Sequence, residues 1–162
     1  MALANYGYFN NLSPGAPALT NVAGDMYTLI HYALTTISNW TRTFNAGTPN
    51  FRAVWQPAAG GTSPVLVCKD NATDSGDQRL CVVRLAESAS AVTTYTDPVP
   101  QVAQVADSLS NWLKNTTTTG AARDYHCVVW ATGIILAIKT SGSTDVWDLF
   151  FACKSFIRFT SV

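Results

Sequence analysis

The stretch from Asp25 to Asn39, DMYTLIHYALTTISN, carries a helical hydrophobic period, and it sets what the rest of the chain can pack against. Met26, Leu29, Ile30, Ala33, Leu34 and Ile37 fall at the i, i+3, i+4, i+7 spacing of one buried helix face. Asp25 suits the start of that helix, as N-cap or as negative charge in the first turn. The pattern stops near Asn39, before Trp40.

After Trp40 the period changes. FRAVWQ (51–56), SPVLVCK (63–69) and QRLCVVRL (78–85) are short runs rich in β-branched and aromatic residues, separated by the turn-forming PAAGGT and DNATDSGD. Residues 86–108 are small and polar and carry Pro98 and Pro100, so they read as a surface excursion with one short strand near Val92 to Tyr95. An extended segment around Trp112 follows. YHCVVWAT and IILAIKT are two further strands split near Gly133, and VWDLFFACKSFIRF is a last strand running into an aromatic tail. One helix and roughly six to eight strands predict an α+β, mostly-β domain. Its form is a twisted antiparallel sheet or β-sandwich with the 25–39 helix packed on it. Residues 1–23 read as an N-terminal arm and 24–162 as a single domain.

Charge narrows the function classes. Only 12% of the residues are charged, against roughly 25% in typical soluble domains. Ten Lys and Arg balance ten Asp and Glu. A small monomer with so little charge has weak colloidal protection, which points to an oligomer whose neighbours cover much of it. The balanced, unclustered charge argues against a nucleic-acid binder. The first residues lack the basic and apolar regions of a signal peptide, and no apolar run is long enough for a spanning helix. The expectation is a protein made in a cytoplasm with no membrane partner.

Candidate chemistry is sparse. Cys68, Cys81, Cys127 and Cys153 form no CxxC pair, and read as reduced, buried thiols. Asp124, His126 and Cys127 lie together, but side chains alternate along a strand. Tyr125, Cys127 and Val129 then face one way, and Asp124, His126, Val128 and Trp130 the other. His126 cannot serve Cys127, and His31 on the helix is a weak alternative. His126 reads as a half-buried strand histidine. DNATDSGDQR places Asp70, Asp74 and Asp77 at spacings unlike those of a calcium loop, so a hairpin loop is the better reading. Gly-rich phosphate loops, nucleophile elbows and zinc-protease motifs are absent from the sequence. No catalytic residue, metal or cofactor is expected. TTTTGAA (116–122) reads as a connection between strands, turned at Gly120.

The order of several short motifs resembles a group of small structural proteins of tailed-bacteriophage virions. The helix ends in "LTTISNWTRTF"; "NFRAVWQ" and a hairpin leading to "KDNATD" follow. Then come "YTDPVPQ", "NWLKN", "AARDYHCVVW" and a closing "FFACKSF". The likeness runs over roughly residues 25–156. Ala152 and Cys153 stand where the group has Gly and Asp, and no Gly precedes Trp40. The resemblance implies a non-enzymatic virion subunit that assembles into the tail or neck with copies of itself and other virion proteins. Capsid decoration is the alternative within that class, and a receptor- or glycan-binding module at the tail tip is the alternative outside it. Residues expected at contacts are Tyr6, Tyr8 and Phe9 of the arm, Trp40, Trp55 and Trp112 as anchors of core or contact, and Phe156 and Phe159 of the aromatic C-terminus.

Overall fold

The computed structural model describes residues 6–20, 22–47, 51–57, 65–70, 80–96, 111–113, 122–139 and 147–153. The protein is α+β and mostly β; its described residues form one short helix and antiparallel sheets. In chain order the strands are β1 (Gly7–Asn10), β2 (Thr41–Ala46), β3 (Arg52–Gln56), β4 (Val65–Lys69), β5 (Leu80–Ala86), β6 (Ser88–Ala89), β7 (Tyr95–Thr96), β8 (Asn111–Leu113), β9 (Tyr125–Trp130), β10 (Gly133–Lys139) and β11 (Trp147–Cys153). Sheet A has the order β1-β9-β10-β11, sheet B the order β2-β3-β4-β5-β8, and β6 and β7 form a small hairpin. Every pairing among the described residues is antiparallel.

The helix starts as α1 (Asp25–His31) and continues as a π-helical segment, Tyr32–Ile37. The Thr35 hydroxyl donates to the His31 carbonyl at 2.6 Å. A side chain bonding into the backbone ladder in this way loosens a helix locally. The stop falls where the sequence places it. Asn39 adopts a left-handed φ of 58°, and the Trp40 N–H closes on the Leu34 carbonyl at 2.7 Å.

Of the two places expected for Asp25, N-cap or first-turn acid, the structure takes the second. The N-cap is Gly24, and Asp25 turns back to accept from the Thr20 N–H and hydroxyl, each at 2.6 Å. The helix N-terminus is capped by Asp70, just past the end of β4. One Asp70 carboxylate oxygen accepts the N–H groups of Gly24, Met26 and Tyr27 at 2.9, 3.0 and 3.2 Å. The carboxylate is fully buried and meets the positive end of the helix dipole. Asp70 is therefore a structural clamp between helix and sheet B. Asp74 and Asp77 lie outside the described residues. Gly24 also has a steric reason to be glycine: its φ is 93°, and a Cβ there would come 2.7 Å from the Phe51 ring.

One apolar core joins the helix to both sheets. It takes Leu29, Ile30 and Leu34 from the helical segment, Trp55 from β3, Leu66 from β4 and Leu136 from β10, all fully buried. Each such burial contributes about 1.5–3 kcal/mol. On β9 the alternation read from the sequence holds: Tyr125, Cys127 and Val129 are buried, and His126 is exposed. Strand β1 comes from the segment read as an arm, and it pairs with β9 of its own chain through Gly7↔Val129 to Asn10↔His126. Phe9 seats it in the core, edge-on to Tyr32 and Tyr125. Strand β2 lies between the helix and FRAVWQ, ahead of the first run with a strand pattern. Its Thr41, Arg42 and Thr43 are exposed, and a register shift falls between Arg42 and Phe44, which suits the end of a sheet order.

Candidate docking face on sheet A

The strand register of sheet A lines up an outer face opposite the core. One row across four strands is Asn10, His126, Ala137 and Leu149. The neighbouring row sets Tyr8 beside Val128 and Ile135. An antiparallel sheet with one face on the core normally turns polar residues outward on the other. Here aromatic and aliphatic residues stand on that face beside Asn10, His126 and Lys139. Tyr8 is 53% exposed, Trp147 39% and Leu149 70%, while Val128, Ile135 and Ala137 are half-buried.

The rings on this face are ordered against one another. The Tyr8 hydroxyl lies 2.7 Å from His126 Nδ1, and the two rings are nearly parallel at 6.1 Å. On the other side of the imidazole, Trp147 stands 5.3 Å away between ring centres. Trp147 is paired with Lys139, diagonal to His126 across the small Ala137, which leaves room for the indole to reach the imidazole. Three rings from three strands thus form a continuous strip: Tyr8, His126, Trp147. A polar rim flanks it. Asn10 Nδ2 lies 3.4 Å from the Tyr8 hydroxyl, and Asn11 Nδ2 donates to Asp124 Oδ1 at 3.0 Å. An apolar centre with a polar rim and few central charges is the anatomy of a protein contact.

The expected contact residues separate into groups. Tyr6 and Tyr8 are exposed, Tyr6 at 53%. Phe9, Trp40 and Trp55 are core residues of the subunit, at 3, 3 and 0% exposed. Trp40 Nε1 donates to the Trp130 carbonyl at 3.1 Å, tying the helix end to sheet A. The backbone of Trp112 pairs with Cys81 at the sheet B order's end. Phe156, Phe159 and the Thr loop 114–121 lie outside the described residues. Trp147, Leu149 and the exposure of His126 were missed. His126 was expected half-buried, because alternation alone does not say whether the second face of a strand is covered.

Neither histidine serves Cys127. Cys127 is buried, and burial pushes its thiol up to about 12, which keeps it protonated and non-nucleophilic. Tyr125 beside it is pushed up to about 12, by burial first and then by Cys127 and Tyr32, and its hydroxyl donates to the Pro17 carbonyl at 2.8 Å. His31 is committed elsewhere: its Nδ1 accepts the indole N–H of fully buried Trp55 at 3.2 Å. The ring is then neutral with its proton on Nε2. Burial lowers its pKa, and Arg42 lowers it further.

That shift has a sign. With the folded value below the ordinary 6.5, the unfolded chain binds more protons just under that pH. Stability from His31 is full above 6.5 and is lost as pH falls through its lowered folded value. Melting curves from neutral to mildly acidic pH are expected to fall more steeply for the native chain than for His31→Asn. The Asn amide oxygen can take the place of Nδ1 without titrating. Equal slopes would remove His31 as a source of the acid sensitivity.

No family model, no curated protein and no solved structure matches this chain.

Proposed function

We propose that the protein is a non-enzymatic structural subunit of a tailed-phage virion, assembling through protein–protein contacts into the tail or neck. The observation that carries the assembly role is the outer face of sheet A, where Tyr8, Trp147 and Leu149 stand exposed on strands of one sheet. A contiguous apolar face of this kind marks a contact. The low charge of the chain fits a surface that neighbours cover. The virion setting rests on the motif resemblance. Capsid decoration would use the same face in another place on the particle.

Leu149→Asp tests this. It puts a charge on the face at its β11 end without touching the core. The variant is expected to fold with an unchanged circular dichroism spectrum and to be lost from purified particles that retain the native chain. A variant incorporated at native level would sink the docking role of sheet A. Absence of the native chain from particles would sink the virion role. A second reading has one feature in its favour: exposed Tyr8 and Trp147 beside Asn10 and Asp124 offer stacking rings and hydroxyl partners for a host glycan. It predicts that a soluble oligosaccharide quenches Trp147 fluorescence.

A further inference from the structure

The outer face of sheet A holds a histidine within its aromatic strip. His126 is exposed and stands between Asn10 of β1 and Ala137 of β10. Tyr8 flanks its ring on one side and Trp147 on the other, at 6.1 and 5.3 Å between centres. Imidazole is the side chain that ordinarily changes charge between about pH 5 and pH 8. The groups around it come from each neighbouring strand. From β1, the Tyr8 hydroxyl lies 2.7 Å from Nδ1. Ahead of β9, Asp124 accepts from Asn11 Nδ2 at 3.0 Å, and its carbonyl takes the N–H of Lys139 at the end of β10 at 2.9 Å. Arg123 Nη1 reaches the Lys139 carbonyl at 3.3 Å. On β11, Trp147 brings an uncharged ring, and Asp148 is paired with Ile138, one position out of that row.

The two protonation states meet a neighbour differently. A neutral imidazole has one donor and one acceptor nitrogen, and the Tyr8 hydroxyl fits either role beside Nδ1. An imidazolium has two donors. Tyr8 oxygen satisfies one of them. The Nε2–H and the charge itself would have to enter the contact that covers Tyr8 and Trp147. Cation–π attraction from those rings offsets part of that cost, and it acts before docking as well as after. Taking the ion out of water costs more than the rings return. A neighbour seated on this strip therefore favours the neutral ring, and a difference in affinity between two states is what shifts them.

We infer that His126 makes docking through sheet A acid-releasable, the neighbour seating on the neutral imidazole and leaving when the ring takes up a proton. This rests on the reading of that face as the docking surface. A contact that accepts only the neutral ring weakens in proportion to the neutral fraction, about tenfold per pH unit once the ring is mostly charged. His31 plays no part in it, since its ring is tied to buried Trp55 and its titration bears on folding.

The test follows release of this chain from purified tailed-phage particles at about pH 7.5 and about pH 5.5, the two sides of the imidazole range. Circular dichroism of the free chain separates release from unfolding through His31, and the lower pH is set where that spectrum is still native. The release rate of the native chain is expected to rise about tenfold or more at the lower pH, because weakened contacts act mostly on dissociation. For His126→Asn the ratio of the two rates is expected to be near one, whatever its rate at the upper pH. A native chain released equally at both values, or held more tightly in acid, would overturn the switch. So would a His126→Asn chain that keeps the native pH dependence, or one that never enters particles, since the imidazole would then serve the contact itself. If the native chain is absent from particles at the upper pH, the virion reading fails and the switch falls with it. If the chain is present and only the pH response is missing, the switch alone falls.

Discussion

Asp70→Ala is expected to lower the unfolding free energy by about 3 kcal/mol, read as a shift of the urea midpoint at unchanged slope. The reason is the place of its carboxylate. Asp70 is fully buried and takes three backbone N–H groups at the helix start. Those donors have no intrahelical partner. Removing the acid leaves them in a dry site, and the helix loses its tether to sheet B. Asp70→Asn keeps an acceptor oxygen and loses the charge, so about half of the effect should remain. A loss below about 0.5 kcal/mol for the alanine variant would be that of an ordinary surface change. It would mean that the cap is not formed.

The second large effect is expected at Trp55. The indole is fully buried in the main core and lies against Tyr27 and His31, at 5.8 and 6.2 Å between ring centres. Trp55→Ala opens a cavity and should cost about 4 kcal/mol. It also removes the N–H that His31 Nδ1 accepts. Trp55→Phe separates the two contributions. It keeps most of the volume and loses the hydrogen bond, and should cost about 1–2 kcal/mol. It should also weaken the acid sensitivity assigned to His31, because the imidazole would no longer be held by the indole. If Trp55→Phe cost as much as Trp55→Ala, the hydrogen bond and not the packing would dominate the site.

The parts of the fold that were legible in the sequence are those decided by local periodicity. The helix could be read because Met26, Leu29, Ile30, Ala33 and Leu34 repeat on one face, and all of them are buried. The alternation of β9 could be read because Tyr125, Cys127 and Val129 stand two apart. The parts decided by distant partners could not. Asp70 lies 44 residues from the Met26 N–H it caps, and nothing near it in the chain signals that role. Strand β1 is only GYFN, too short to show a period, and it exists because β9 offers it a partner. Strand β2 reads TRTFNA, polar where a buried strand would be apolar, since it stands at the end of its sheet's order. The docking face was hidden for the same reason. Trp40, Trp55 and Trp147 are equivalent as letters. Only the tertiary arrangement puts the first two inside and leaves Trp147 beside His126 on the other face.

The most direct test is a reconstruction, at side-chain detail, of the tailed-phage particle proposed to carry this protein. The outer face of sheet A should be buried against a neighbouring subunit, with Tyr8, Trp147 and Leu149 out of solvent in every copy. A particle in which these residues face solvent in every copy, while another face makes the contacts, would contradict the assignment of sheet A as the docking surface.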